Sequence, residues 1–417
     1  MSNTADMRTL ARQLFAAAVE AADPALAVRR HLTATPPAPL PAGGKYLVLA
    51  IGKAAPAMLR EALAHLPSPV VALGVTHHEN RQDVAGATIL TAGHPVPDQA
   101  GFDAARRILS LLGETTKYDR VLALISGGGS ALVPAPIAPL TLADKQAVSQ
   151  VLLDSGLDIV AMNMVRQQLS EIKGGGLLRH AAPAPVTALI LSDVIGDDLR
   201  AIASGPTVAP LGSREDVVAL LKEHRIFNRI PDEVQALLQS PDTRPAPPEG
   251  KNHLVGSNRQ SLDAMFAALP SDWHGEIVSD RLTGDVKDAA ATIIDAARNC
   301  RRSGPTALIF GGETTVQITG TGRGGRNQEL ALRVALEGAD LPEGWVFLSG
   351  GTDGRDGPTD AAGGIVDGGS AARMAAADPE MLLANNDSNA ALATGDDLLI
   401  TGATGTNVAD VQVLLLP

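Results

Sequence analysis

Apolar runs that end in glycine recur along this chain. Tyr46-Leu47-Val48-Leu49-Ala50-Ile51, Val70–Val75, the apolar end of Tyr118–Ile125, and Val186–Leu191 are nearly unbroken by polar residues. That is the pattern of strands buried on both faces of a parallel sheet. Shorter runs at 88–90, 253–255, 306–310, 346–348, 398–400 and 411–416 predict further strands, with 316–319 pairing beside 306–310. Helical spacing appears between them. Leu10, Leu14, Ala17, Ala18 and Ala21 predict a helix over 7–32, and Thr141 stands as the cap of a helix over 141–156. Residues 232–238, 258–269, 285–298 and 327–337 also read as helix, the 285–298 stretch being clearly amphipathic. Strand and helix alternate, so the class is α/β.

The strand ends carry the chemistry. The first run delivers Gly52-Lys53-Ala54-Ala55-Pro56, and Pro56 suits the first turn of a helix. Lys53 therefore stands at the carboxyl end of a central strand, where open α/β sheets bind ligands. The run to Ile125 empties into Ser126-Gly127-Gly128-Gly129-Ser130, whose bare N–H groups and serine hydroxyls can converge on an anion. Asn163, Arg166, Ser170 and Lys173 are spaced to line one helix face, with Gly174 ending that helix and Lys173 in its last turn. The glycines 174–176 then form a second candidate anion loop. Asp193 follows the Val186–Leu191 run, with Asp197 and Asp198 close behind; such a carboxylate can hold Mg²⁺ together with phosphate oxygens. Asp353 opens a second acidic loop able to bind Mg²⁺ loosely. Arg355 and the absence of a closing Glu exclude an EF-hand there. His94, in Gly93-His94-Pro95-Val96-Pro97-Asp98, is expected to hydrogen-bond its own rigid loop.

Composition narrows the field. Net charge is −12, which excludes a nucleic-acid surface, and no apolar run approaches the length of a membrane helix. The single cysteine, Cys300, allows neither a disulfide framework nor a cysteine metal site. Aromatics make up 2%, so Leu, Val, Ile and Ala must fill the cores. The polar N-terminus lacks a signal core, and the expectation is a cytoplasmic protein. Proline-rich stretches at 35–41 and 241–248 read as connectors, the second dividing a domain 1–240 from a domain 250–417.

Several known chemistries fail. No Lys-Ser/Thr pair follows a glycine loop as a Walker A site requires, Ser130 lacks the glycine two residues on that a nucleophile elbow needs, and histidines have no zinc spacing. Gly320, Gly322 and Gly325 match the dinucleotide spacing, but Arg323 and Arg326 interrupt it and fit triphosphate binding better.

Taken together, Gly52-Lys53-Ala54-Ala55, Gly93–Asp98, Ser126–Leu132, Lys173-Gly174-Gly175-Gly176, Ser192–Asp197, Gly311-Gly312-Glu313-Thr314 and Gly325–Glu329 resemble the type II glycerate kinases. Thr401–Val408 resembles the end of the MOFRL domain. The resemblance implies a Rossmann-like, three-layer α/β/α N-terminal domain and a smaller mixed-sheet α/β C-terminal domain, with the active site in the cleft between. It implies ATP- and Mg²⁺-dependent phosphorylation of D-glycerate to 2-phosphoglycerate, and catalytic roles for Lys53 and Arg326. Substrate or phosphate binding is then expected at Ser126, Gly127, Gly128, Gly129, Ser130, Lys173, Gly174, Gly175, Glu313 and Asn327. Asp193 is expected to act in catalysis and, with Asp353, to hold the metal. Small molecules are the expected partners, a homodimer is compatible with the pattern, and NAD(P)H-dependent hydroxypyruvate reduction is the alternative activity.

Overall fold

The computed structural model describes residues 4–417 and divides them into two compact units. The first comprises 24–192 and 197–255; the second takes the chain through Asp23, the short segment Asp193–Gly196, and everything from Gly256. The linker read at 241–248 thus stands a few residues before the crossing. The first helix was not expected to leave the N-terminal domain. The pattern read as one helix over 7–32 is two, Thr4–Ala21 and Pro24–Ala34, broken where Pro24 cannot continue the hydrogen-bond ladder.

The first unit holds strands β1 (Tyr46–Ile51), β2 (Val70–His77), β3 (Thr88–Ala92), β4 (Arg120–Ile125), β5 (Val186–Leu191) and β6 (Lys251–Gly256). Their order is β3-β2-β1-β4-β5-β6, and the pairs among β1 to β5 are parallel. This is the strand order of Rossmann-type sheets. All six residues of β1 are buried, because it lies between β2 and β4. The chain order reverses at β1 and β4. Ile51 is in register with Ile125, so the turns after both strands emerge side by side. A helical cluster built on Val148, Leu152, Val165, Val217, Leu221 and Val234 completes this unit. Thr141 does cap the Leu142–Leu153 helix, in a reciprocal pair with Asp144.

The second unit holds β7 (His274–Asp285), β8 (Thr306–Thr315), β9 (Val346–Gly351), β10 (Gly363–Asp367), β11 (Leu398–Leu399) and β12 (Asp410–Leu416). The order is β11-β10-β9-β12-β8-β7; β7 runs parallel to β8 and the other pairs are antiparallel. Side chains alternate across this sheet. Leu308, Phe310, Phe347 and Leu414 pack with the Val286–Asn299 and Arg326–Glu337 helices, whereas Ile309, Leu348, Val413 and Leu415 pack with the Thr4–Ala21 and Asn258–Ala267 helices. Arg8 pins the first helix here through Asp367 (2.6 Å) and Asp397 (2.9 Å). β8 runs straight through Gly311-Gly312, and 316–319 is not a strand. The double glycine is needed because a side chain at Gly311 would strike Asn258 and one at Gly312 the backbone of Leu282.

Candidate functional site

Two turns meet at the reversal of the first sheet. The Lys53 N–H donates to the Gly127 carbonyl (2.9 Å), and the Ala54 N–H donates to Ser126 Oγ (3.1 Å). Ser126 is buried, so the serine expected to touch a ligand instead ties the two turns together. Past it, Gly128 is left-handed at φ +81°, and a Cβ there would stand 3.2 Å from both the His94 ring and the Lys53 stem. The N–H groups of Gly127, Gly128, Gly129 and Ser130 donate to no acceptor among the described residues. Neither does the Lys53 ammonium form a hydrogen bond or ion pair among the described residues. Four backbone donors and one cation are thus gathered with nothing of the protein's own to bind.

The His94 ring makes no hydrogen bond to its loop, contrary to expectation; it packs beside Lys53 and Gly128. Burial, then the Lys53 charge, then His77 push its pKa down, and His77 is lowered in the same way, first by burial and then by Lys53. Both rings are therefore neutral at pH 7 and leave Lys53 the local cation.

Lys173 is not in the last turn of a helix. The helix is Ile159–Gln168; Ser170 then bridges to Pro136, and Lys173 lies in the loop beyond. The residue is 3% exposed, and its ammonium reaches Ser130 Oγ at 2.8 Å. Ser130 Oγ is 2.9 Å from Ser204 Oγ, which donates to Asn163 Oδ1 at 2.9 Å. Burial first, then Lys145 and Arg166, drive the Lys173 pKa well below its usual value. Ala203 and Ser204 are left-handed without being glycine (φ 49° and 60°), a strain characteristic of functional sites.

The glycine triple does other work than expected. The Gly174 N–H is spent on the Ser204 carbonyl (3.1 Å) and that of Gly175 on the Gly205 carbonyl (2.9 Å), so neither is free for an anion. Gly175 sits at φ +76°, and a Cβ would come within 2.7 Å of Pro247. Gly175→Ala is therefore expected to lower stability by about 2 kcal/mol, from left-handed strain and overpacking, measured by urea denaturation.

In the second unit Arg326 begins the Arg326–Glu337 helix. Its guanidinium grips Asp410 with two hydrogen bonds, from Nε and Nη2, and reaches Glu313 at 3.1 Å. Asp410 is 1% exposed, and burial pushes its pKa up to about 6 against the pull of Arg326. Glu313, nearly half exposed, holds the outer side. Asn327 was expected to touch substrate but is buried: it accepts from Ser349 Oγ (2.6 Å) and its N–H donates to Asp356 (3.1 Å). Asp356 also takes the Gln328 N–H (2.8 Å), so this carboxylate of the acidic loop caps the helix.

Asp193 is half-buried at the exit of β5 and groups with the second unit. Asp353 is half-buried and accepts the Arg355 N–H (2.9 Å). Among the described residues no three His, Cys, Asp or Glu side chains stand together as a metal cage. The dinucleotide spacing is also explained otherwise. Side chains at Gly320 and Gly322 would strike Asn385 and Asp387, and one at Gly325 would strike Asp356. These glycines seal a chain crossing, five to ten residues after β8 ends. A cleft of about 380 Å³ in this unit, lined by Asp285, Glu329 and Arg333 among others, contains none of the expected catalytic residues. Among the described residues no helix is long and apolar enough to cross a membrane.

Residues 10–239 match the family described as a domain of unknown function (DUF4147), and residues 306–410 match the MOFRL family. D-glycerate 2-kinase of Thermotoga maritima is 39% identical over 430 residues, covering all of both chains. Glycerate kinase of Danio rerio is 38% identical over 99% of this chain and 98% of its own. A crystal structure of glycerate kinase (EC 2.7.1.31) from Thermotoga maritima superposes with a TM-score of 0.90 at 36% identity, over 99% of each chain. The chain belongs to the MOFRL-type glycerate kinase family. A protein called putative hydroxypyruvate reductase, from Agrobacterium vitis, is similar to the same degree, at 39% identity.

Within this glycerate kinase scaffold, sequence reasoning missed Asp410, Lys145 and the grouping of His94 with His77 beside Lys53. Asp410 had a signal: it is an acid at the head of an otherwise apolar strand. Such a residue is buried with a partner or not at all. The histidines gave none, because their neighbour Lys53 arrives from another strand.

Proposed function

We propose that this protein is an ATP-dependent kinase that phosphorylates the 2-hydroxyl of D-glycerate, acting in the cytoplasm. The observation that carries this reading is the convergence at the β1–β4 reversal of four unengaged N–H groups with the unpaired Lys53 ammonium. Phosphoryl transfer asks for little else than positioning and neutralisation of spread charge. The turn 127–130 receives phosphate oxygens, and Lys53 compensates the charge that moves with the transferred group. Arg326, aimed by Asp410 and Glu313, is a second cation suited to phosphoryl oxygens. Its fixed guanidinium geometry loses little on reaction.

Mg²⁺ fits in the mode in which it arrives with the nucleotide and takes only one or two carboxylates. Asp193 would hold it, with Asp353 as the second carboxylate, and the ion would supply further charge neutralisation. Asp193 would also orient the attacking hydroxyl.

Incubation with D-glycerate and ATP is expected to release ADP and give 2-phosphoglycerate, identified by phosphorus NMR. Hydroxypyruvate and NADH are expected to give no NADH oxidation. The reverse result selects the reductase.

The Asp410 value sets a pH dependence. Protonation below about pH 6 weakens the grip on Arg326, so kcat is expected to fall from pH 7 to pH 5. Stability moves the other way through this group. The folded form binds the proton more tightly than the unfolded chain, so the contribution is full below the unfolded value and lost as pH rises through about 6. Parallel profiles of kcat and Tm check this, and Asp410→Asn is expected to remove the acid limb.

A further inference from the structure

Behind Ser130 lies a group of charges that the proposed reaction has not yet used. Lys145, Arg166 and Lys173 are close enough to repel one another, and all three belong to the first unit. Among the described residues none of them forms an ion pair with an aspartate or glutamate. Lys145, 8% exposed, has only the Leu169 carbonyl at 3.4 Å, and Lys173 has only Ser130 Oγ at 2.8 Å. Arg166 is half-buried, and its guanidinium makes no hydrogen bond among the described residues.

Buried cations are normally paired, because an unpaired one loses hydration with no return. Three together, one of them an arginine whose five donors are unengaged among the described residues, call for an anion that the described chain does not supply. A planar guanidinium matches a carboxylate through two parallel hydrogen bonds. The two lysines behind are almost fully enclosed, so a compact anionic group suits them better than a bulky one. The Ser130 and Ser204 hydroxyls, joined to Lys173, offer partners to alcohol groups on the same short molecule.

We infer that Arg166, backed by Lys145 and Lys173, binds the carboxylate of a short hydroxy acid and so selects acids over uncharged polyols. This rests on the reading that D-glycerate is the acceptor. It separates two anion sites within the first unit, with phosphate oxygens at the turn 127–130 and the acceptor's carboxylate at Arg166.

The test has two arms, and one of them needs no variant. In the native protein, methyl D-glycerate keeps the 2-hydroxyl but lacks the charge. It is expected to be a poor acceptor, with KM raised roughly 10–100-fold, the range for loss of one charge-assisted contact. D-lactate, which keeps the carboxylate, is expected to compete with D-glycerate and not with ATP. In Arg166→Gln the KM for D-glycerate is expected to rise by a similar factor while the KM for ATP stays within about twofold, and Arg166→Lys is expected to recover part of the loss. The inference is overturned if the ester is phosphorylated as well as the acid. It is also overturned if the ATP KM rises instead, which would make this a nucleotide subsite. If native protein turns over no D-glycerate at all, the kinase reading has failed. Calorimetric titration with D-glycerate then decides the inference alone: binding by native protein that is lost in Arg166→Gln sustains it, and equal or absent binding ends it.

Discussion

Replacing Lys53 with alanine is expected to reduce kcat for ATP-dependent D-glycerate phosphorylation by about 10³-fold, the scale seen when one preorganised charge-stabilising donor is removed. The fold should be untouched. The ammonium has no internal partner to strand, and its residue contributes to the structure through backbone groups that alanine retains. These are the N–H given to Gly127, and the carbonyl that accepts from Thr76 and Asn80. Thermal denaturation should therefore show a Tm within a few degrees of native while turnover collapses. A Lys53→Ala protein with full turnover would remove Lys53 from the reaction.

Arg326→Ala is expected to behave differently, although both residues are assigned to phosphoryl transfer. Turnover should fall roughly 10³–10⁵-fold, as for other arginines that stabilise phosphoryl transfer. Stability should fall as well, by about 1–3 kcal/mol, because a buried carboxylate loses its partner. Asp410 is the residue left behind, and it would respond by holding its proton to higher pH. Asp410→Asn completes the comparison. It keeps the volume but not the charge, so the guanidinium is less firmly aimed, and a loss of about 10²-fold in kcat is expected from misplacement alone. Urea denaturation and steady-state kinetics on the three proteins separate the positioning role from the charge role.

Much of the first sheet could be read from the residues. β1, β4 and β5 are continuous apolar runs because each has a neighbour on both sides, and that burial leaves its mark on the composition. β7 was invisible for the opposite reason. It lies at an edge, alternates exposed with partly buried residues, and is interrupted by irregularities near Ser279. β10 begins with Gly363-Gly364, where close approach of Ser349 and Ala331 forbids side chains, and so carries no strand-like signature. In the site, the turn after β4 was legible because consecutive glycines have few other uses. The glycines at 174–176 looked alike and proved to be packing devices, since sequence does not reveal that Pro247 and the Ser204 carbonyl occupy the space. Arg166 was placed on the right helix face, but its lack of an acidic partner depends on residues far away in the chain.

The position of β12 has a consequence for how the polypeptide is made. This strand, 410–416, lies between β8 and β9, yet it is translated after both. On the ribosome those two neighbours therefore wait side by side with an open slot, and the Thr4–Ala21 helix, made before either of them, waits for the same surface. The 24–192 region can settle early, whereas the later unit has exposed strand edges until β12 is made. That interval is when this protein has most need of a chaperone.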